Sequence, residues 1–104
     1  MIRPVMEELE TMLERCAEIC GTTVDEIKEC KKRSTRAVVE AKQLFVYCVL
    51  HENEFQKKKN IAKVLRVGQY QVTYYRRKAE FSIRRERWFQ KLVDKYYKKY
   101  GSKN

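Results

Sequence analysis

The segment NIAKVLRVGQYQVTYYRRKAE, residues 60–80, predicts two short helices joined by a tight turn. Apolar residues on both sides of the turn recur every three or four positions, as the buried face of a helix requires. They are Ile61, Val64, Leu65, Val72, Tyr75 and Ala79. The turn itself is supplied by Arg66-Val67-Gly68. The pattern therefore predicts a helix-turn-helix over about residues 56–80.

Polar and aromatic side chains occupy the outward side of the second predicted helix. In a helix-turn-helix that binds DNA, this helix enters the major groove, where glutamine can pair with adenine and a threonine methyl can contact thymine. The residues expected to contact bases are Gln69, Tyr70, Gln71, Thr73 and Tyr74. The cations expected to contact phosphates are Arg76, Arg77 and Lys78. Two ordinary packed helices with a polar outer face would give the same pattern, so this alternative stays open.

The sequence before this segment also predicts helices rather than strands, so the expected fold is an all-α bundle of about six helices. We expect a single domain over residues 1–104. Apolar residues at helical spacing fill Val5–Cys20, and Gly21 suits the end of that helix. Thr23 and Glu26 then predict a capping box that opens a short second helix.

Two longer helices complete the predicted bundle. Residues 37–50 are apolar on nearly every side, which is typical of a helix in the middle of a bundle. Its most regular stripe consists of Ala41, Leu44, Phe45 and Cys48. Ser82 is expected to cap a last helix over about residues 83–99. The inner stripe of that helix is predicted from Trp88 or Phe89, Leu92, Val93 and Tyr96.

Charge is divided unevenly along the chain. Residues 1–30 carry three basic and eight acidic side chains, a net charge of −5. Residues 57–104 carry sixteen basic and three acidic side chains, a net charge of +13. The formal net charge of +10 therefore originates in the second half of the chain. A gradient this steep favours a polyanionic partner, whereas a basic face kept for solubility is the alternative.

A basic loop is predicted between the second and third helices. Residues 31–36 contain four cations and no apolar side chain, and they precede the N-terminus of the long third helix. Cations on such a loop can follow a phosphate backbone or enter the minor groove. The residues expected to do so are Lys31, Lys32, Arg33, Ser34 and Arg36, with Lys42 as a further phosphate contact.

The stretch LERCAEICGTTVDEIKECKKRSTRAVVEAKQLFVYCVL is followed by the helix-turn-helix and by RRKAE. Its most specific part is KKRSTRAVVEAKQ, in which a basic loop precedes a long helix that opens near Lys42-Gln43. In this order of elements, about residues 12–97 resemble the C-terminal DNA-binding domain of the bacterial replication initiator DnaA.

The resemblance implies an all-α helix-turn-helix and, as ligand, a short double-stranded DNA element of the DnaA-box type. The family's G-R-D-H-T-T-V signature is replaced here by Gly68-Gln69-Tyr70-Gln71-Val72. Ser34 stands where the family has a basic residue that enters the minor groove, a role for which Arg33 is the substitute. The implied protein is a stand-alone relative with an altered target sequence. Its implied role is regulation of replication or transcription, as a phage or mobile element would encode.

The sequence offers little for catalysis or metal binding. Cys16, Cys20, Cys30 and Cys48 include no CxxC pair and His51 is the single histidine, so buried free thiols are favoured over zinc or disulfides. We expect no enzyme activity, no cofactor and no small-molecule substrate. The acidic N-terminus, MIRPVMEELE, lacks the apolar core of a signal peptide, and no apolar run is long enough to span a membrane. These features predict a cytoplasmic protein.

A protein-interaction module is the second functional hypothesis. In this case the basic half docks on an acidic protein partner, and aromatic side chains supply the anchors. The aromatic candidates are Tyr70, Tyr74, Tyr75, Trp88, Tyr96, Tyr97 and Tyr100. A homodimer is a further alternative. Its predicted contact face consists of Trp88, Phe89, Tyr96 and Tyr97.

Overall fold

The computed structural model describes residues 5–29, 35–52 and 57–101, and within them it contains six α-helices and no strand. The helices are α1 Val5–Cys20, α2 Val24–Lys28, α3 Arg36–Glu52, α4 Lys58–Leu65, α5 Gln69–Arg85 and α6 Arg87–Tyr100. The predicted all-α fold is therefore confirmed.

Helix α3 is the centre of the bundle. The predicted stripe of Ala41, Leu44, Phe45 and Cys48 has no solvent exposure. Helices α1, α2, α5 and α6 all pack against α3. Since full burial of a leucine or phenylalanine side chain contributes about 1.5–3 kcal/mol, contacts with α3 determine where these helices lie.

Local sequence signals set the boundary between α1 and α2. Gly21 ends α1 in the left-handed region at φ 77°, and the Thr22 N–H donates to the Ala17 carbonyl at 2.9 Å, which is the bond of a Schellman motif. The Thr23 hydroxyl caps α2 by accepting the Glu26 N–H at 3.1 Å. The Glu26 carboxylate accepts from the Thr22 hydroxyl at 3.1 Å, so the predicted capping box is present only in its Thr23 half.

The last helix begins later than the sequence predicts. Helix α5 continues to Arg85, α6 begins at Arg87, and Ser82 is a buried residue inside α5 instead of a cap. The Ser82 hydroxyl donates to the Glu86 carboxylate, which also accepts from Trp88 Nε1 at 3.1 Å. These two hydrogen bonds lower the pKa of Glu86. The prediction was wrong because a serine hydroxyl can be satisfied within a helix as well as at its start.

Helix α6 packs its inner stripe as predicted, with Phe89, Val93 and Tyr96 buried. This burial removes Phe89 and Tyr96 from the predicted dimer face, since core side chains cannot contact a second copy. The other two members of that face, Trp88 and Tyr97, are half-buried.

The cysteines behave as small apolar residues. Cys16 and Cys48 are buried free thiols, which confirms the core-packing prediction for both, and Cys20 is half-buried. Burial raises the pKa of Cys16, and it raises the pKa of Cys20 to about 12. Cys30 lies outside the described residues.

The described ranges lack two kinds of feature. No helix in these ranges is long and apolar enough to cross a membrane. They also hold no group of three or more potential metal ligands from His, Cys, Asp and Glu.

Gln43 generates the first prediction. It is fully buried in α3, and neither its Nε2 nor its Oε1 has a hydrogen-bond partner among the described residues. Replacing an unsatisfied buried amide by an apolar side chain of similar length removes its desolvation cost. We expect Gln43→Met to raise the free energy of unfolding by about 1–3 kcal/mol in urea denaturation.

The matched control is Gln71→Met on the half-exposed side of α5, which should change stability by no more than about 0.5 kcal/mol. A loss of stability in Gln43→Met would contradict the prediction, because it would mean that the Gln43 amide is satisfied.

Candidate nucleic-acid interface

The predicted turn between α4 and α5 is a Schellman motif centred on Arg66. The Arg66 N–H donates to the Lys63 carbonyl at 3.3 Å, and the Val67 N–H donates to the Ala62 carbonyl at 3.0 Å. Arg66 lies in the left-handed region at φ 57°, where Gly21 lies in the equivalent motif after α1. The left-handed position of this turn is thus filled by a side chain that adopts it only at a cost in energy.

Gly68 precedes α5 in an extended conformation at φ −74° and ψ 156°. Its importance is steric, because the ring of Tyr70 lies against it. A Cβ atom at position 68 would be 2.5 Å from Tyr70 Cε1. Gln71 Nε2 in turn donates to the Tyr70 hydroxyl at 3.4 Å. The turn and the first residues of α5 therefore position the Tyr70 ring together.

Helix α5 is anchored through one face. Val72, Tyr75 and Ala79 are buried as predicted, and Ser82 extends this face by a further turn. The face packs against α3, and α4 and α6 flank it. Because one face is held in the core, the opposite face of α5 must point to solvent.

The predicted base-contacting residues lie at the solvent side of α5, to different degrees. Tyr70 is 75% exposed, Tyr74 is 56% exposed, and Gln69 is also exposed. Gln71 and Thr73 are half-buried. The structure thus brings all five residues into the first two turns of one helix, with the two tyrosines the most prominent.

The three predicted phosphate contacts on α5 have distinct surroundings. Arg77 is exposed, and Lys78 Nζ lies 5.7 Å from the centroid of the Tyr74 ring. Arg76 Nε is 3.8 Å from Glu80 Oε1, a loose ion pair between exposed side chains. Lys78 therefore contacts an exposed tyrosine ring, and Arg77 lies three residues after the same tyrosine on the helix.

The structure describes only two of the remaining predicted contacts, Arg36 and Lys42. Lys31, Lys32, Arg33 and Ser34 lie outside the described residues. Arg36 belongs to the first turn of α3, because the hydroxyl of Thr35 caps that helix by accepting the Val38 N–H at 3.2 Å.

Arg36 and Lys42 differ sharply in accessibility. Arg36 is exposed and its Nε donates to Glu40 Oε2 at 2.8 Å. Lys42 is only 7% exposed in the middle of α3. Little of the Lys42 side chain is therefore accessible, because its aliphatic stem packs along the core, and its phosphate contact stays a prediction.

A longer surface stripe was missed by the sequence analysis. Among the described residues, the exposed large hydrophobic side chains are Tyr70, Tyr74 and Phe81, and all three lie on α5. Together with two exposed arginines they form what we call the outer stripe, Tyr70, Tyr74, Arg77, Phe81 and Arg84. The 4-3-4-3 spacing keeps these residues within roughly 80° of the helix circumference at about 100° per residue. That spacing was visible in the sequence and could have revealed the stripe.

The helices themselves are polarised in charge. Helix α1 carries five glutamates and one arginine, whereas α5 carries five basic residues and one glutamate. Helix α1 packs against α3, α6, α4 and α2, and α5 lies across α3 with its outer stripe in solvent. The basic helix is therefore also the helix with exposed aromatic rings.

Comparison of the chain with protein-family models, with curated proteins and with solved structures gives no significant match.

The turn generates the second prediction. Glycine adopts the left-handed region without the penalty that a side chain incurs, so Arg66→Gly should raise the free energy of unfolding by about 0.5–1 kcal/mol. Gly21→Ala, in the same motif after α1, should lower it by about 1 kcal/mol. Urea denaturation of the two variants measures both effects. A loss of stability in Arg66→Gly would contradict the prediction and would show that contacts of the arginine outweigh its backbone strain.

Proposed function

We propose that the chain binds double-stranded DNA, with the first turns of α5 in the major groove and cations on the adjoining surface against the phosphates. The observation that carries this proposal is the exposure of Tyr70 and Tyr74 beside Arg77 and Lys78, on a helix whose opposite face is anchored in the core. A rigid, exposed helix is what the major groove admits.

Each part of α5 has a separate task in this proposal. Gln69 and Gln71 offer amides for base edges, and the Thr73 methyl offers an apolar contact for thymine. Arg77 and Lys78 contact phosphates, which position the protein without reading sequence. Phosphate contacts make affinity depend steeply on salt, because counterions are released on binding.

The segment that joins α2 to α3 adds a second contact to the proposal. Its cations Lys31, Lys32 and Arg33 are assigned to the adjacent backbone or the minor groove, with Ser34 among them. Arg36, in the first turn of α3, is assigned to the same contact. The segment leaves α2, which packs against α4, the helix that leads into the turn. This connection supports a shared binding surface.

The order of helices supports the finer proposal of a stand-alone domain similar to the DNA-binding domain of DnaA. A leading helix, a short capped helix, a long buried helix and a helix-turn-helix follow one another in the chain. Gly68-Gln69-Tyr70-Gln71-Val72 replaces the family signature, so the proposed target is an altered or relaxed element of the DnaA-box type. The proposed role is regulation of replication or transcription by binding alone, without catalysis or a cofactor.

An acidic protein partner is the second candidate function, and the outer stripe is the observation that favours it. A 4-3-4-3 stripe is the spacing by which helices pack along one another. An antiparallel pair of two α5 stripes would place Arg77, at the midpoint, against Arg77 of the second copy. Like charges opposite each other disfavour such a homodimer, so the partner in this candidate must be acidic.

The third prediction concerns DNA binding by the full chain. We expect tighter binding to a duplex that carries a DnaA-box-like element than to a shuffled duplex of equal length. The six cations assigned to the DNA backbone predict that affinity falls by about 10³-fold between about 50 and about 200 mM salt. Fluorescence anisotropy of labelled duplexes at several salt concentrations measures both quantities.

Variants test the assignment to α5. Arg77→Gln should lower affinity for every duplex and reduce the salt slope by about one unit, whereas Lys95→Gln on α6 should have little effect. Equal binding of both duplexes with a steep salt slope would retain DNA binding and reject the box preference. Absence of binding at low salt would reject the DNA proposal and favour the acidic protein partner.

A further inference from the structure

Phe81 lies on the outer stripe beyond every residue to which the proposed function assigns a contact. It is 53% exposed, although its side chain carries no polar atom. It lies eleven positions after Tyr70, which is about 16 Å along a helix. In a helix-turn-helix the N-terminal residues of the second helix contact the base edges, so Phe81, about three turns further along α5, lies beyond that contact.

The surroundings of Phe81 form an open notch of about 290 Å³ along the last turns of α5. It is lined by Glu80, Phe81, Arg84 and Arg85. The Arg85 guanidinium lies 5.2 Å from the centroid of the Phe81 ring. The notch therefore combines a half-exposed aromatic ring with one guanidinium over it, a second arginine and one carboxylate.

This combination matches the chemistry of a single nucleotide. An aromatic ring stacks on the face of any base, and arginine both stacks on planar rings and pairs with phosphate. A carboxylate can accept a hydrogen bond from the exocyclic amino group of a base, as glutamate does with cytosine. Each of the four lining residues thus has a counterpart on a nucleotide.

We propose that this notch binds an unstacked base of DNA, with Phe81 stacked on the base and Arg84 and Arg85 on the neighbouring phosphates. In a paired duplex the faces of the bases are covered by their neighbours, and only the edges are open in the grooves. A phenyl ring has nothing to offer a base edge beyond apolar contact. Its use as a stacking surface therefore requires an unpaired nucleotide next to the duplex that the start of α5 contacts.

The proposal rests on the proposed function, because the duplex and the unpaired base would both bind to α5. It goes further by naming the substrate class, which is duplex DNA that contains or adjoins unpaired nucleotides. Arg84 and Arg85 lie in the last turn of α5. Cations are stabilised there by the negative end of the helix dipole.

The test compares binding of the full chain to a paired duplex and to the same duplex with a short internal bubble. We expect the bubble to bind about tenfold more tightly, within the range that stacking of one base supplies. Phe81→Leu keeps an apolar side chain but removes the ring, so the preference should disappear while affinity for the paired duplex stays within about twofold. Phe81→Tyr is the matched control and should retain the preference. Because residue 81 is exposed, neither variant removes a core contact.

The outcomes distinguish failure of this proposal from failure of the proposed binding to double-stranded DNA. The proposed site for an unpaired base would be rejected if the chain bound the paired duplex with no preference for the bubble. It would also be rejected if the preference survived in Phe81→Leu. In both cases the proposal of duplex binding would stand. Failure to bind either DNA would overturn both proposals.

Two further probes identify the source of the ligand. A free mononucleotide should bind far more weakly than the bubble, and equal affinity would assign the notch to a soluble nucleotide instead of DNA. Poly-glutamate that binds in a Phe81-dependent manner, without any binding of DNA, would assign the outer stripe to an acidic protein partner and overturn the proposal.

Discussion

The burial of α3 on nearly all sides is the constraint on which the surface of this protein depends. A helix without a solvent stripe must be covered by other helices, and α5 covers it with Val72, Tyr75 and Ala79. A helix that is held through one face presents its opposite face to water. The direction of the outer stripe is therefore a consequence of hydrophobic packing around α3, before any ligand is considered.

The distribution of charge follows the same arrangement. At the C-terminal end of α6, Lys99 and the Tyr100 hydroxyl both bind the Glu18 carboxylate of α1, and their hydrogen bonds lower the pKa of Glu18. Positive charge on α6 is thus partly neutralised by the acidic helix. Helix α5 carries one acidic side chain, Glu80, which lies near Arg76. The excess positive charge remains on the surface that also exposes aromatic rings, which is the combination expected for a polyanion.

Periodicity predicted the elements of this fold well, because packing onto one core imposes the spacing of apolar residues directly. It predicted the inner face of α5 for the same reason, whereas the turn was predicted from the residues Arg66-Val67-Gly68. Boundaries and single polar residues were harder. Ser82 resembles a cap in sequence, and Lys42 resembles a surface cation. Both are buried in the bundle, and the local sequence does not reveal which side of a helix its neighbours will cover.

The two ends of the outer stripe differ in what surrounds their rings. Tyr70 lies against Gly68 and its hydroxyl accepts from Gln71, while the Tyr74 ring contacts the Tyr75 ring edge-on at 5.4 Å. Phe81 has the Arg85 guanidinium beside it and an open notch around it. A ring that is already positioned loses little conformational entropy on binding and suits a groove of fixed shape. Phe81 instead lies beside two arginines and an open notch, the surroundings on which its proposed contact with an unpaired base rests.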